Sequence, residues 1–257
     1  MEKYKFILHK LMQKNHNIEE IWNKGVWTQQ ARDIIKNIKN SSFDSKTILI
    51  LRHSQRYEPK LTDENQYMEL TSQGRVIAKH FGSKLPIGRS IRLFHSPVNR
   101  CKETAEAILT GFNEIGGNGV FKGECRAVWG IGVNKQSFFS ELQKYPNLEI
   151  FFKWASGFYP PEEWPSLLLY CQRAADVLWN QLKLAPENGI DIYISHDWHI
   201  TAFRFGWFGL PPDDRWVDYL GGFIFTLEEK HILLSDYGEI KAVEAPHWWK
   251  NKKLNKK

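Results

Sequence analysis

Hydrophobic and polar positions along the chain follow two rhythms. Short unbroken apolar runs, suited to strands buried on both faces, occur at TILILRH (Thr47 to His53), IRLFHS (Ile91 to Ser96) and DIYISHD (Asp191 to Asp197). Between them lie stretches with helical spacing. Ile18, Ile21 and Trp22, then Ile34, Ile35 and Ile38, predict a helical extension over residues 1–45, closed by the loop NSSFDS. Leu70 to Leu85 places Val76, Ile77, His80 and Phe81 on one helical side before Pro86 and Gly88 stop it. SPVNRCKETAEAILTGF predicts a helix with Ser96 as N-cap and Pro97 in the first helical position. Leu167 to Leu184 reads as a helix, and another starts near Trp198. GGFIFTLEEKHILLSD reads as a hairpin turning around Glu228 to Lys230.

Strands alternating with helices predict an α/β fold of three layers, a mostly parallel sheet with helices on both faces. Residues 46–257 are expected to form one domain behind the extension. Within it, residues 112–165, with NEIGGNG and the aromatic FFKWASGFYPPEEW, are expected to form a partly helical cap over the sheet's edge. No internal repeat is present.

Composition changes this picture little. The chain has 257 residues, 42% hydrophobic and 14% aromatic, enough for a substantial core. No apolar run reaches the ~18 residues of a membrane span, and the first twenty residues lack a signal-peptide pattern. Cys101, Cys125 and Cys171 are odd in number and widely spaced, which argues against a disulfide framework and for a reducing, cytoplasmic setting. The net charge of +6 is concentrated in the last eight residues, which hold five lysines. The body is therefore nearly neutral, and no nucleic-acid partner is expected. Trp248 and Trp249 beside that tail read as packed tryptophans rather than a membrane contact.

The chemistry lies where the apolar runs end. In parallel sheets ligands bind beyond the carboxyl ends of the strands. There the sequence delivers Arg52, His53 and Arg56, then Arg100 on the first turn of a helix, then His196 and Asp197. Three guanidiniums aimed at one place call for a multiply charged oxyanion, and a phosphoryl group fits their geometry. Histidines inside such a cationic nest are expected to have depressed pKa values, so that one stays neutral and nucleophilic.

RHSQR after the first strand, HSPVNRCKETA after the second and SHD after a late one together resemble the histidine phosphatase (phosphoglycerate mutase-like) superfamily, over roughly residues 47–235. The resemblance implies a phosphoglycerate mutase-like fold and phosphomonoester hydrolysis through a phosphohistidine. It implies His53 as nucleophile, Arg52, Arg56 and Arg100 as the phosphate clamp, His196 completing the pocket, and no metal or other cofactor. The substrate would be a phosphorylated small molecule or a phosphoprotein.

Two features depart from the family pattern. Ser54 stands where the family usually has glycine. The proton donor has two candidates: Asp197, placed as in the acid-phosphatase branch, and Glu124 in GECRAVWG, placed as in the mutase-like branch. Asp197 is favoured, and with it the acid-phosphatase branch, although Pro59 lies one residue late for that branch's motif. Simpler roles compete for single residues: Ser96 and Asp197 as helix caps, Glu103 as a first-turn carboxylate, His95 and His199 as packing or rim residues, Cys101 as a buried thiol. Rival functions are a mutase-type phosphotransferase, a metal-assisted hydrolase using His53, His95, His196, Asp197 and His199, and a non-catalytic phospho-ligand binder.

Overall fold

The computed structural model describes residues 17–59, 67–130, 132–213, 215–228 and 231–249. The lysine-rich tail and the first sixteen residues lie outside them. One sheet organises the chain: β1 (Thr47–Arg52), β2 (Ile91–His95), β3 (Gly119–Glu124), β4 (Ile190–Ser195), β5 (Gly222–Leu227), β6 (Ile232–Asp236) and β7 (Glu239–Val243), in the order β3-β2-β4-β1-β5-β6-β7. β3, β2, β4 and β1 are mutually parallel, while the β5, β6 and β7 pairings are antiparallel.

The unbroken apolar runs are central strands because both their faces are covered. In β1, Ile48 and Ile50 face one core, and Leu49 and Leu51 face the other, with no exposure at any of the four. Burying each such side chain contributes about 1.5–3 kcal/mol. One face carries α1 (residues 17–24), α2 (Gln29–Ile38), α3 (Ser72–Ser83) and α4 (Asn99–Glu114), through Trp22, Ile34, Ile77, Phe81, Ile108 and their neighbours. The other carries α6 (Asn147–Ala155), α7 (Leu167–Lys183) and α8 (Asp197–Phe208), joined at the rim by α5 (Lys135–Lys144), which buries no residue of its own. The layered α/β fold expected from the alternation is present.

The structure differs from the sequence reading in four places. α4 begins at Asn99, because Val98 is still extended (φ −77°, ψ 131°), so Ser96 is not its N-cap and Pro97 is not helical. Residues 119–124 are the edge strand β3 rather than cap: their half-buried and exposed positions alternate, as on an edge with one solvated face. The hairpin gains a third strand, β7, paired with β6. α8 starts at Asp197 with His196 as its N-cap residue, one position earlier than expected. Trp249 is buried against Trp179, with ring centroids 3.9 Å apart, as two packed tryptophans require.

Candidate active site

β1, β2 and β4 end side by side, and the chain leaving each one turns toward the same point. His53 follows β1, Ser96 follows β2, and His196 follows β4 and opens α8. His53 is buried. Its Nδ1 lies 2.8 Å from the Ser54 carbonyl, and its Nε2 accepts a hydrogen bond from Arg100 Nε at 3.0 Å. A carbonyl only accepts and a guanidinium only donates, so the proton sits on Nδ1 and the lone pair on Nε2. His196 has the opposite tautomer by the same logic. Its Nδ1 faces Arg100 Nη2 at 3.2 Å and its Nε2 meets Ser96 Oγ at 2.9 Å. The two imidazoles stand 5.2 Å apart, centroid to centroid.

Both histidines are held well below the ordinary value of 6.5. For His53 the cause is burial first, then the charges of Arg100 and Arg52. For His196 it is burial, then His53 and Arg100. Neutral imidazoles in a cationic pocket are the state in which a lone pair can attack an electrophile.

Arg52 crosses the pocket floor. Its Nη1 donates to the Val217 carbonyl at 2.6 Å, its Nη2 meets Asp197 Oδ2 at 3.1 Å, and its guanidinium lies 4.3 Å from the centre of the Tyr219 ring. Its Nε is buried without an acceptor among the described residues. Arg56 acts electrostatically on His53 and Arg100 and pairs with Glu58 at 3.1 Å. Glu58 in turn accepts from the Tyr219 hydroxyl at 2.7 Å.

The two candidate acids sit in different surroundings. Asp197 Oδ1 accepts from the Trp198 amide at 2.9 Å, and Oδ2 accepts from Trp216 Nε1 at 3.0 Å as well as from Arg52. Burial alone pushes this carboxyl's pKa up, but Arg52 and these two N–H donors outweigh it and leave it below the usual carboxylate value. Glu124 ends β3, three strands from β1 and so about 14 Å away at ordinary strand spacing. Its partner is Arg126 at 2.7 Å, and the pair is largely exposed. The structure therefore gathers Arg52, His53, Arg56, Arg100, His196 and Asp197, and leaves Glu124 at the edge.

Ser54 fits without strain. Its hydroxyl donates to the Gly74 carbonyl at 2.7 Å and its amide to Thr104 Oγ1 at 3.0 Å. The strand-exit loop is pressed onto α3 so closely that a Cβ at Gly74 would lie 2.1 Å from the Gln55 carbonyl oxygen. Ser96, freed from capping, is the hydroxyl that fixes His196. Among the described residues no group of three or more His, Cys, Asp or Glu side chains is arranged to hold a metal ion.

Trp216, Val217 and Tyr219, which hold Asp197 and Arg52, escaped the sequence reading. They belong to the segment before β5, whose antiparallel pairing with β1 brings its beginning to the carboxyl end of that strand. The mixed polar and aromatic run RWVDYLGG was the available signal, but nothing local announces which end of the sheet it reaches.

Comparison with known proteins bears on the fold and the family. No curated protein sequence matches the chain. A mycobacterial glucosyl-3-phosphoglycerate phosphatase is similar in structure, at 14% identity and a TM-score of 0.51, covering 77% of this chain and 97% of its own. A phosphoserine phosphatase from Entamoeba histolytica solved with 3-phosphoglyceric acid is also similar, at 16% identity and a TM-score of 0.51, covering 78% of this chain and 98% of its own. At such identities the likeness speaks for the fold. The family model that matches, over residues 48–219, is that of branch 1, so the match does not carry the leaning toward the acid-phosphatase branch. Since that match spans well over half of the sequence, the chain belongs to the histidine phosphatase superfamily.

Proposed function

We propose that the protein hydrolyses phosphomonoesters through a phosphoryl group carried on His53 Nε2. The observation that carries this reading is the His53 lone pair, unprotonated and directed at Arg100 inside a nest of three arginines. A substrate phosphoryl group draws Arg100 from that lone pair onto its oxygens, exchanging a neutral acceptor for an anionic one. His53 Nε2 then attacks phosphorus, the ester P–O bond breaks, and the leaving oxygen takes a proton from Asp197. In the second half, water attacks phosphorus, gives its proton to Asp197, and the P–N bond breaks to release phosphate. Ser54 holds the Nδ1 proton throughout, and His196 positions Arg100.

Asp197 is assigned as donor because it opens α8 directly after His196, beside β1, and touches the clamp through Arg52. In the resting site it is an anion. One proton is therefore needed between the bound phosphoryl group and Asp197, and a substrate monoanion brings it. The substrate class is a phosphorylated small molecule or phosphoprotein. The domain expected over residues 46–257 carries the reaction, and α2 of the extension before it supports it: Gln30 donates to the Trp216 carbonyl and accepts from the Asp218 amide. Three buried free thiols are consistent with a reducing cytoplasm.

His53→Ala tests the nucleophile. It should abolish turnover, and rapid quenching of the wild type with labelled substrate should trap an acid-labile, base-stable phosphoryl-enzyme. A fully active variant would sink the reading. For the acid, Asp197→Asn should slow alkyl phosphates far more than p-nitrophenyl phosphate, whose phenolate leaves unaided. Glu124→Gln should be nearly silent, and the reverse pattern would move the role to Glu124.

A further inference from the structure

His199 lies on the first turn of α8, beside His196, with ring centroids 5.6 Å apart. Its side chain is buried, and neither ring nitrogen has a hydrogen-bond partner among the described residues. Tyr170, from α7, packs edge-on against the same ring at 5.9 Å, and its hydroxyl is also buried and unpartnered among the described residues. Trp129 lies flat against His199, at 5.3 Å and 18°, and leans on His196 at 4.8 Å. Three orphaned polar atoms thus belong to two rings in contact, one of them beside the ring that positions the clamp.

Packing does not explain them. Phenylalanine at either position would fill similar space without leaving polar atoms unpaired, which costs free energy in a dry interior. Their chemistry limits what they recognise. Burial holds His199 down to about 4, so above that pH it is neutral, with one donor and one acceptor nitrogen. Tyr170 is pushed well up by burial and stays a hydroxyl. Neutral donor–acceptor groups match an alcohol hydroxyl; a carboxylate calls for a cation. An indole face beside them suits the apolar C–H face of a ring.

We propose that His199 and Tyr170 bind a hydroxyl on the alcohol portion of the substrate, against the Trp129 ring, and so select phosphate esters of sugars and other polyols. This rests on the phosphatase reading above and adds a specificity site to it. His53 attacks the phosphoryl group; His199 and Tyr170 read what the phosphoryl group is attached to.

The test compares kcat/KM for glucose 6-phosphate, ethyl phosphate and 3-phosphoglycerate on the full chain. The wild type should favour the sugar phosphate over both others by roughly tenfold or more, the order of discrimination that the net gain of one neutral hydrogen bond provides. Tyr170→Phe and His199→Phe should each lower the sugar-to-ethyl ratio roughly tenfold, mainly through KM. His199→Gln, which keeps a neutral donor and acceptor, should restore part of it. Equal losses on all esters would mark a structural role and overturn the proposal, as would an unchanged ratio or a wild type that prefers ethyl phosphate or 3-phosphoglycerate. If His199→Phe fails to fold, Tyr170→Phe decides, since it removes one oxygen and keeps the ring. An active His53→Ala would overturn the phosphatase reading itself, whereas an inactive one with an unmoved ratio would overturn only the hydroxyl site.

Discussion

Both ends of the sheet bury arginines, and they do so in opposite ways. At the amino ends of the strands, Arg89 donates to the carbonyls of Phe43, Ser45, Asn188 and Gly189 and to the Thr47 hydroxyl. Near it, Arg92 of β2 forks onto Asp191 of β4, its direct cross-strand partner, with both contacts at 2.6 Å, and its other donors reach the Gln181 and Leu184 carbonyls. A cavity of about 510 Å³ opens there, lined by Lys39, Asp44, Arg89 and Asn188 among others, but the Arg89 guanidinium is already bonded into the fold. At the carboxyl ends, Arg100 donates to neutral imidazole nitrogen, and Arg52 has a buried Nε with no acceptor among the described residues. One end uses its cations to tie the chain together; the other keeps cationic charge available to an incoming anion. Buried arginine by itself is therefore no sign of a site. What distinguishes the site is Arg100, held by imidazole nitrogens from which an anion can draw it, where Arg92 is matched to a buried carboxylate.

The largest expected effect breaks the amino-end pair. Arg92→Ala leaves Asp191 buried and uncompensated, and should cost about 3–5 kcal/mol of stability in denaturant unfolding, with turnover per folded molecule retained. The mirror experiment is Arg100→Ala. It should cost about 2–5 kcal/mol in transition-state stabilisation, read as kcat/KM, while the unfolding midpoint stays level or rises. If both variants lose stability alike and keep turnover, the distinction between the two ends fails.

Smaller is the response to an oxyanion. Vanadate at a hundred times its Kd should stabilise the wild type by about 2.7 kcal/mol and competitively inhibit it, and should do neither in Arg100→Ala. Inhibition by chelators, reversed by one divalent metal, would instead favour metal-assisted hydrolysis.

The smallest effects are those of pH. His53, His196 and His199 are all lowered in the folded protein. Below about 6.5 the unfolded chain binds protons that the folded one refuses, so stability should fall as the pH drops, by up to three protons' worth of slope. Lowered Asp197 adds its loss only near the bottom of the acid range. Activity moves the other way at first. The proposed mechanism needs one proton with the substrate, so kcat/KM should decline as pH rises past about 6, where a phosphomonoester loses its second proton. A kcat/KM that is flat from pH 6 to 8 would contradict the single-proton requirement.

What the sequence determined was local or carried by pattern. Four unbroken apolar residues before Arg52 suit a strand covered on both faces, and alternation with helices pointed to a largely parallel sheet. RHSQR, HSPVNR and SHD each stand where an apolar run ends, so His53 and His196 could be placed at strand ends, and Arg100 on the helix that follows, in advance. What tertiary structure decided was everything that depends on which strands are neighbours. VFKGE became an edge strand because β2 had a free side to pair with, although its own residues are as fit for a loop. Ser96 became a partner of His196 instead of a cap once β2 and β4 lay adjacent. The antiparallel return of β5 brought Trp216 and Tyr219 onto Asp197 and Arg52, residues more than 160 positions from β1's exit. Side-chain type and spacing are written along the chain. Long-range pairing is settled only when the burial of all seven strands is satisfied together, and that condition no short stretch contains.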